Sequence, residues 1–463
     1  MQMTHSEKDG QMAVAVASRV AEMGGHTYYV GGFVRDVLMG RENKDVDIEV
    51  HGISPEALEE ILDSLGQRIC VGESFGIFNL KGYSLDIAMP RKEEARGQGH
   101  KDFAVFVDPF IGTKGAALRR DFTVNALMQD VLTGEIVDHF GGQEDLRRGV
   151  LRHVHEQTFP EDPLRVLRAA QFAARFSFSM AEETVSLCRR MDLRHLPGER
   201  IAGELEKALL KAEKPSIFFE VLRQMDQLDV WFPDLKALIG VPQNPVYHAE
   251  GDVWNHTMMV VDEAAKLRHK TEKPYWFMLA AVAHDLGKAL CTQEKDGVYH
   301  AYEHETLGLP LAEAFLRRVT REAKLIEYVK NLTLLHMKPN TVAGVRSRVK
   351  VTNRMYDQAI DPEALMYLAL ADDRGRITEK PGENHEAFLR ERLEIFREMM
   401  SRPYVKGRDL IEAGLTPGAG FSEILAYAHK LRLAGVEKEN ALVQTLAYAR
   451  KLERDNGKQS LSS

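Results

Sequence analysis

Alternating apolar and polar residues, the period of a half-buried strand, are confined to the first third of the chain. From Asp162 onward apolar positions recur at helical spacing, through Leu210 and again at Phe219, Val221 and Leu222. A chain patterned this way folds as α+β, a small mixed α/β unit followed by helices. Residues 12–50 read as helix, strand, Gly-rich turn, helix and strand, and residues 69–90 add two strand-like runs around Gly72, Gly76 and Gly82. The Gly-bearing stretch from Arg91 to Gly115 is long enough to predict a mobile functional loop. With 463 residues the chain exceeds what one core sustains. Pro-bearing segments at Val241–Pro245 and Lys380–Asn384 mark boundaries, so the expected divisions are 1–145, 146–240, 241–380 and 381–463.

The balance of 44% apolar and 28% charged residues excludes a disordered or fibrous chain. No apolar run approaches the roughly 18–20 residues of a membrane span, and Met1–Gly10 is polar, so a cytoplasmic protein with no membrane partner is expected. Cys70, Cys188 and Cys291 are odd in number and far apart, which suggests neither a disulfide framework nor a thiolate zinc site. A net charge of −8 restricts any RNA contact to local basic clusters: Arg119 with Arg120, Arg147 and Arg148 with Arg152, and Arg165 and Arg168 with Arg175. Oligomeric state is not legible.

In Lys44-Asp-Val-Asp-Ile-Glu-Val50 the apolar Val46, Ile48 and Val50 alternate with acids, so a strand aligns Asp45 with Asp47 on one face. Parallel carboxylates repel unless a cation lies between them, and Mg²⁺, which takes oxygen ligands and keeps phosphates in its shell, suits the place. Upstream, Tyr28-Tyr-Val-Gly-Gly-Phe-Val-Arg-Asp36 is a strand entering a Gly31-Gly32 turn and a helix, where backbone N–H groups and Arg35 can meet a phosphate. Asp86, on the polar face of Tyr83–Met89, is the candidate third carboxylate. Leu118-Arg-Arg-Asp-Phe-Thr-Val-Asn-Ala-Leu127 reads as a charged start to an apolar helix; Arg120, Asp121 and Asn125 supply charge for a triphosphate and donors for a ribose. Asp162 before Pro163 reads as an N-cap, and Arg165, Arg168 and Gln171 recur every three residues along the helix that follows.

The set VGGFVRD, KDVDIEV, RRDFTVNAL and EDPLRVLRAAQFAARF resembles the class II tRNA nucleotidyltransferases, the CCA-adding enzymes, and the bacterial poly(A) polymerases. The likeness covers the first ~230 residues closely and the remainder more loosely. It implies a polymerase β-like nucleotidyltransferase head, a helical neck and body that selects nucleotides and binds RNA, and a helical tail that touches tRNA. It further implies that Asp45 and Asp47 hold two Mg²⁺ ions, that Gly32 and Arg35 contact the nucleotide, and that Arg120 binds its phosphates. A carboxylate that accepts beside a guanidinium that donates matches the edge shared by cytosine and adenine. The resemblance assigns that protein template to Asp162 and Arg165, braced by Glu161. Tail residues 405–420 look like the tail module of related enzymes, an RNA-backbone contact. One departure is Gln171, which stands where the family carries arginine.

A second constellation lies in the helical part. The apolar run Trp276–Lys288 delivers His284 and Asp285 side by side, with His256 upstream and Asp372 downstream. Mixed imidazole and carboxylate ligands suit a divalent transition metal or Mg²⁺. The set resembles the HD metal-dependent phosphohydrolase domain, which in some bacterial relatives acts on phosphomonoesters or 2′,3′-cyclic phosphates. His304 and His336 could line the same cleft, although each alone is more often a surface or capping histidine. The expected activity is CCA addition to tRNA 3′ ends from CTP and ATP. Poly(A) polymerase, CC-only or A-only addition, and an HD hydrolase whose head merely binds RNA are the rivals.

Overall fold

The computed structural model describes residues 5–459 apart from 42, 44, 71–76, 96–102, 379–384 and 419. Lys44, Gly72, Gly76 and the segment Lys380–Asn384 lie outside the described residues. The chain forms two compact units, Met1–Ala212 with Ile217–Val230, and Glu213–Ser216 with Trp231–Ser463. The division falls about ten residues before the expected break at 240, while positions 145 and 380 lie inside the units.

The first unit opens with α1 (His5–Glu22), β1 (His26–Val30), α2 (Gly32–Leu38), β2 (Val46–His51) and α3 (Pro55–Leu65). Three short strands follow: β3 (Arg68–Cys70), β4 (Ile77–Leu80) and β5 (Leu85–Ala88). The stretch expected to be a loop from Arg91 to Gly115 instead contains β6 (Arg91–Ala95) and β7 (Phe103–Val107), paired with each other, and the start of α4 (Gly112–Leu118). Then come β8 (Met128–Asp130), β9 (Ile136–Val137), α5 (Gly142–Arg148), α6 (Leu164–Phe176), α7 (Glu182–Arg189) and α8 (Gly198–Lys211).

Seven strands form one sheet in the order β3-β4-β5-β2-β1-β8-β9. Only β2 and β5 run parallel, in a register that sets Asp47 beside Asp86. Val46, Ile48 and Val50 of β2 and Leu85 and Ile87 of β5 are buried in one core with Ala13, Val16 and Val20 of α1 and Leu58 and Leu62 of α3. Each such side chain contributes about 1.5–3 kcal/mol on burial. Because strand side chains alternate, that burial turns Asp47 and Asp86 to the opposite face, and a one-residue slip would reverse it.

The RRDFTVNAL segment does not open an apolar helix. Thr123–Asn125 make a single 3₁₀ turn, and Met128 pairs with Val30 in the sheet. Local bonds hold that turn: Asp121 accepts from the Phe122 N–H at 2.7 Å, and Thr123 donates to Asp145 at 2.7 Å.

The second unit is helical. Its described strands are the hairpin Gln293–Lys295 with Val298–His300, closed by Asp296-Gly297, both at positive φ as a tight two-residue turn requires. The helices Val253–Leu267, Pro274–Ala283, Ala323–Leu335 and Pro362–Arg374 enclose its core. The expected motif Val405–Leu415 forms the helix Gly407–Glu412. Cys188 and Cys291 are free. No described helix is long and apolar enough to cross a membrane.

Candidate functional sites

A cleft of about 680 Å³ in the first unit gathers Gly31, Gly32, Arg35, Asp45, Asp47 and Asp86 with Arg120, Asp121, Asn125, Asp162, Arg165 and Arg168. Asp45 is exposed just ahead of β2, Asp47 is half-buried within it, and Asp86 is exposed on β5, accepting a bond from Asn79 at 2.5 Å. Burial, then the neighbouring Asp86 charge, pushes the Asp47 carboxyl up to about 6, with Asp45 adding to the rise and Arg120 opposing it. Negative charge there exceeds what the described side chains neutralise. The donor set consists of carboxylate oxygens, which fits a hard divalent cation.

Glu49, next on β2, is buried instead of facing solvent with the other acids. Burial alone would raise its pKa, but a hydrogen bond from His51 at 3.0 Å and the Arg120 and Arg119 guanidiniums hold it down at about 2. Glu49 accepts from Arg120 at 3.3 Å and so aims that side chain along the cleft wall. Sequence alternation could not show this, because an acid facing an arginine distant in sequence looks like any polar-face residue. Gly31 adopts φ 64°, and a Cβ there would lie 3.1 Å from Arg120 Nη1, so glycine is required on both counts.

Arg35, Asp121 and Asn125, expected to hold nucleotide, line the cleft but use their hydrogen-bonding groups on one another. Arg35 donates to Asp36 at 2.7 and 2.8 Å and to Asn125 Oδ1 at 2.5 Å. Asn125 donates to Asp121 at 3.0 Å, and Arg168 donates to Asp121 at 2.8 Å. Burial opposes ionisation of Asp121, yet Arg168 and Asn125 hold its pKa below the usual range. The result is a brace from the Gly-Gly turn to α6, with Arg35 also lying 4.4 Å over the Phe176 ring.

The start of α6 carries Asp162 and Arg165. Asp162 Oδ1 accepts from the Leu164 N–H at 3.1 Å, the expected capping bond, and Oδ2 accepts from Arg200 at 2.9 Å. Arg165 is held by the main chain, donating to Thr158 O and Arg119 O at 2.6 Å each. Glu161 is exposed and does not line the cleft. Gln171 also departs from expectation: it is 1% exposed, absent from the cleft wall, and its Nε2 has no hydrogen-bond partner. Six residues at about 100° each carry it roughly 120° round the helix from Arg165, whereas Phe172 returns to within about 20°. Phe172 and Arg175 occupy the face instead.

In the second unit His256, His284, Asp285 and Asp372 converge, all buried. His304 and His336, read from sequence as surface or capping residues, are buried beside them. Among the described residues, the sets of donor atoms within 4.8 Å of one another are His248, Glu250 and His256; His256, His284 and Asp372; and Asp285, His304 and His336. His256 Nε2 lies 3.1 Å from Asp372 Oδ1, and its Nδ1 lies 3.0 Å from Glu250. Burial opposes ionisation of Asp285, but the His284 and Lys288 charges hold its pKa well below the ordinary range. Asp372 is held low against burial in the same way by His256 and Arg376. Gly287 sits where a Cβ would meet His304 O at 2.0 Å, so this backbone approach admits only glycine. A pocket of about 400 Å³ beside the cluster is lined by Lys288, His300, Tyr302, His304 and Arg376, among others.

Comparison with known proteins agrees with both the fold and the cleft. The family described as "Poly A polymerase head domain" matches residues 27–152, and "Probable RNA and SrmB- binding site of polymerase A" matches residues 177–239. The chain is 37% identical over 362 residues to the multifunctional CCA protein of Actinobacillus pleuropneumoniae, covering 76% of this chain and 85% of that one. It is 35% identical over 405 residues to the same protein of Acinetobacter baylyi, covering 83% and 94%. The fold resembles the Thermotoga maritima CCA-adding enzyme complexed with tRNA at TM-score 0.64 and 21% identity, covering 97% of this chain and 100% of that one. The Bacillus stearothermophilus CCA-adding enzyme in complex with CTP gives 0.62 and 22%, covering 98% and 100%. The class is that of the nucleotidyltransferases. Within it, the chain belongs to the family of CCA-adding enzymes and bacterial poly(A) polymerases.

Proposed function

We infer that the chain adds C, C and A in turn to tRNA 3′ ends from CTP and ATP, without a nucleic-acid template, in the cytoplasm. The observation that carries this reading is the single cleft in which Asp45, Asp47 and Asp86 stand with Arg120, Asp162 and Arg165. Asp45 and Asp47 would hold Mg²⁺, with Asp86 as the third carboxylate. A pair of such ions supplies an acidified 3′-hydroxyl and charge neutralisation on the triphosphate. Arg120 and Arg168 provide positive charge to the phosphates, and Gly31 and Gly32 let them approach the backbone. Asp162 accepts and Arg165 donates toward the base edge. The buried brace of Arg35, Asn125 and Asp121 positions Arg168 without touching substrate.

The four-part division into head (1–145), neck and body (146–240), metal-binding unit (241–380) and tail (381–463) remains our working scheme, with the tail contacting tRNA. The deciding experiment offers tRNA ending before CCA, with CTP and ATP separately and together, and sequences the products. Completion of CCA and then arrest is expected. A growing A-tract on arbitrary RNA would establish poly(A) polymerase instead.

The second unit supports a separate activity. Its buried donors, several lacking hydrogen-bond partners, fit a divalent metal, and Lys288 and Arg376 face the adjoining pocket. We propose that His256, His284, Asp285 and Asp372 hold this metal and that the unit hydrolyses phosphomonoesters or 2′,3′-cyclic phosphates, clearing RNA ends for extension. The bound metal would supply an activated water and polarise the phosphoryl group. Release of phosphate or ring opening that requires added divalent metal and disappears in Asp285→Asn is expected; no hydrolysis with any divalent metal would overturn this reading.

A further inference from the structure

The hydrogen bonds at the back of each histidine fix what its front presents. His284 Nδ1 lies 2.8 Å from Ala281 O, His304 Nδ1 2.8 Å from Ala301 O, and His336 Nδ1 2.6 Å from Thr333 O. A carbonyl only accepts, so each Nδ1 carries the proton, and a neutral ring then turns an Nε2 lone pair inward. His256 is oriented the same way by the Glu250 carboxylate.

Inside the cluster these lone pairs meet further acceptors. His304 Nε2 lies 3.3 Å from His336 Nε2, and both approach Asp285 Oδ1, at 3.2 and 3.7 Å. The other oxygen of the same carboxylate, Oδ2, faces His284 Nε2 at 3.2 Å and His256 Nε2 at 3.6 Å. Both Asp285 oxygens and His284 Nε2 are buried without a hydrogen-bond partner. Lys288 Nζ, 2.7 Å from Asp285 Oδ2, offers one positive charge, and it stands on the Oδ2 side alone. Acceptors facing one another at these distances repel, and a cation on each side removes the conflict. Metal–ligand bonds of about 2.0–2.1 Å set neighbouring ligands roughly 3.0–3.4 Å apart, close to the spacing found on both sides.

We propose that this centre takes two divalent metal ions: one on His256, His284 and Asp372, the other on His304 and His336, with Asp285 bridging them through Oδ2 and Oδ1. The proposal rests on reading the second unit as a metal centre and doubles its ion count. The ligands are imidazoles and carboxylates with no thiolate, a set for manganese, iron, cobalt, nickel or zinc. A phosphate ester in the adjoining pocket is the class of substrate that a paired-ion centre clamps.

The test uses the full chain carrying Asp45→Asn and Asp47→Asn, so that the cleft of the first unit contributes no ion. After chelation, reloading with Mn²⁺ and dialysis, two Mn per chain are expected, with the exchange-coupled paramagnetic resonance spectrum of a carboxylate-bridged pair. His336→Gln and His256→Gln should each retain one Mn, with the uncoupled six-line spectrum. One Mn per chain without coupling in the unmodified centre overturns the second ion and leaves the single-metal reading standing. No bound Mn overturns both. The count and spectrum of the unmodified centre decide between these outcomes, so the test survives misfolding of either histidine variant.

Discussion

The two sites achieve concentrated charge by opposite means. In the first unit the acids stand at the rim of an open cleft, on two strands whose pairing sets Asp47 beside Asp86, and arginines face them. In the second unit the acids and imidazoles are buried, and the donors converge on one another from five segments between His256 and Asp372. An open site of this kind is completed by its substrate's phosphates, whereas a closed one is completed by ions held between substrates. The contrast teaches that a cleft can be read from strand period, but a buried centre only from its assembled partners.

The largest expected effect separates the two. Asp47→Asn should lower nucleotide addition by at least about 10²–10³-fold, on the scale of removing one group that stabilises a transition state. It should leave phosphate-ester hydrolysis within about twofold. Asp285→Asn should do the reverse. Parallel assays on the same preparations check this, and coupled loss in both would break the comparison.

Next in size is the brace of the first unit. Asp121→Ala leaves Arg168 without its buried partner and should cost about 3–5 kcal/mol of stability. Denaturant unfolding monitored in the first unit would measure it, and a loss below about 1 kcal/mol, the scale of an exposed pair, would show that the cleft is not held by this network.

Gly287→Ala probes the closed site by geometry alone. The added methyl meets His304 O, and displacement should cost about 1–3 kcal/mol, the range for overpacking. Weaker metal retention should follow while nucleotide addition continues. Unchanged retention would show that the position of His304 is not critical.

Protons compete with metal at the open site. The Asp47 carboxyl is raised to about 6, so without metal its contribution to stability is present at low pH and is lost as pH rises through about 6. Correspondingly, Mg²⁺ affinity should fall as pH drops through about 6, measurable by titration calorimetry between pH 5 and 7.5. A flat affinity would place the ion elsewhere. The smallest effect is at Gln171, where substitution by Met should alter the ratio of C to A incorporation by less than about twofold, because the side chain does not reach the cleft and its Nε2 is already without a partner.

What the sequence made legible follows the same division. The β2 alternation, the Gly31-Gly32 turn and the switch to helices at Asp162 are local patterns, and each has its counterpart in the structure. Glu49 could not be assigned, because its partners Arg119 and Arg120 lie some seventy residues away. The hairpin within Arg91–Gly115 was hidden by its glycines and charges. The i+3 spacing that grouped Gln171 with Arg165 holds for one step and drifts off the face by the second. His304 and His336 carried no pattern of their own; only their meeting at Asp285 distinguishes them from surface histidines.

Arg165 is tied down by the main-chain carbonyls of Thr158 and Arg119. Carbonyls belong to every residue type, so a point mutation at position 119 or 158 changes a side chain and leaves the anchor in place. On the proposed reading, the choice of base is therefore buffered against drift at its supports. A lineage that altered its nucleotide alphabet would do so by replacing Asp162 or Arg165 outright, or by inserting or deleting residues that shift the backbone beneath them.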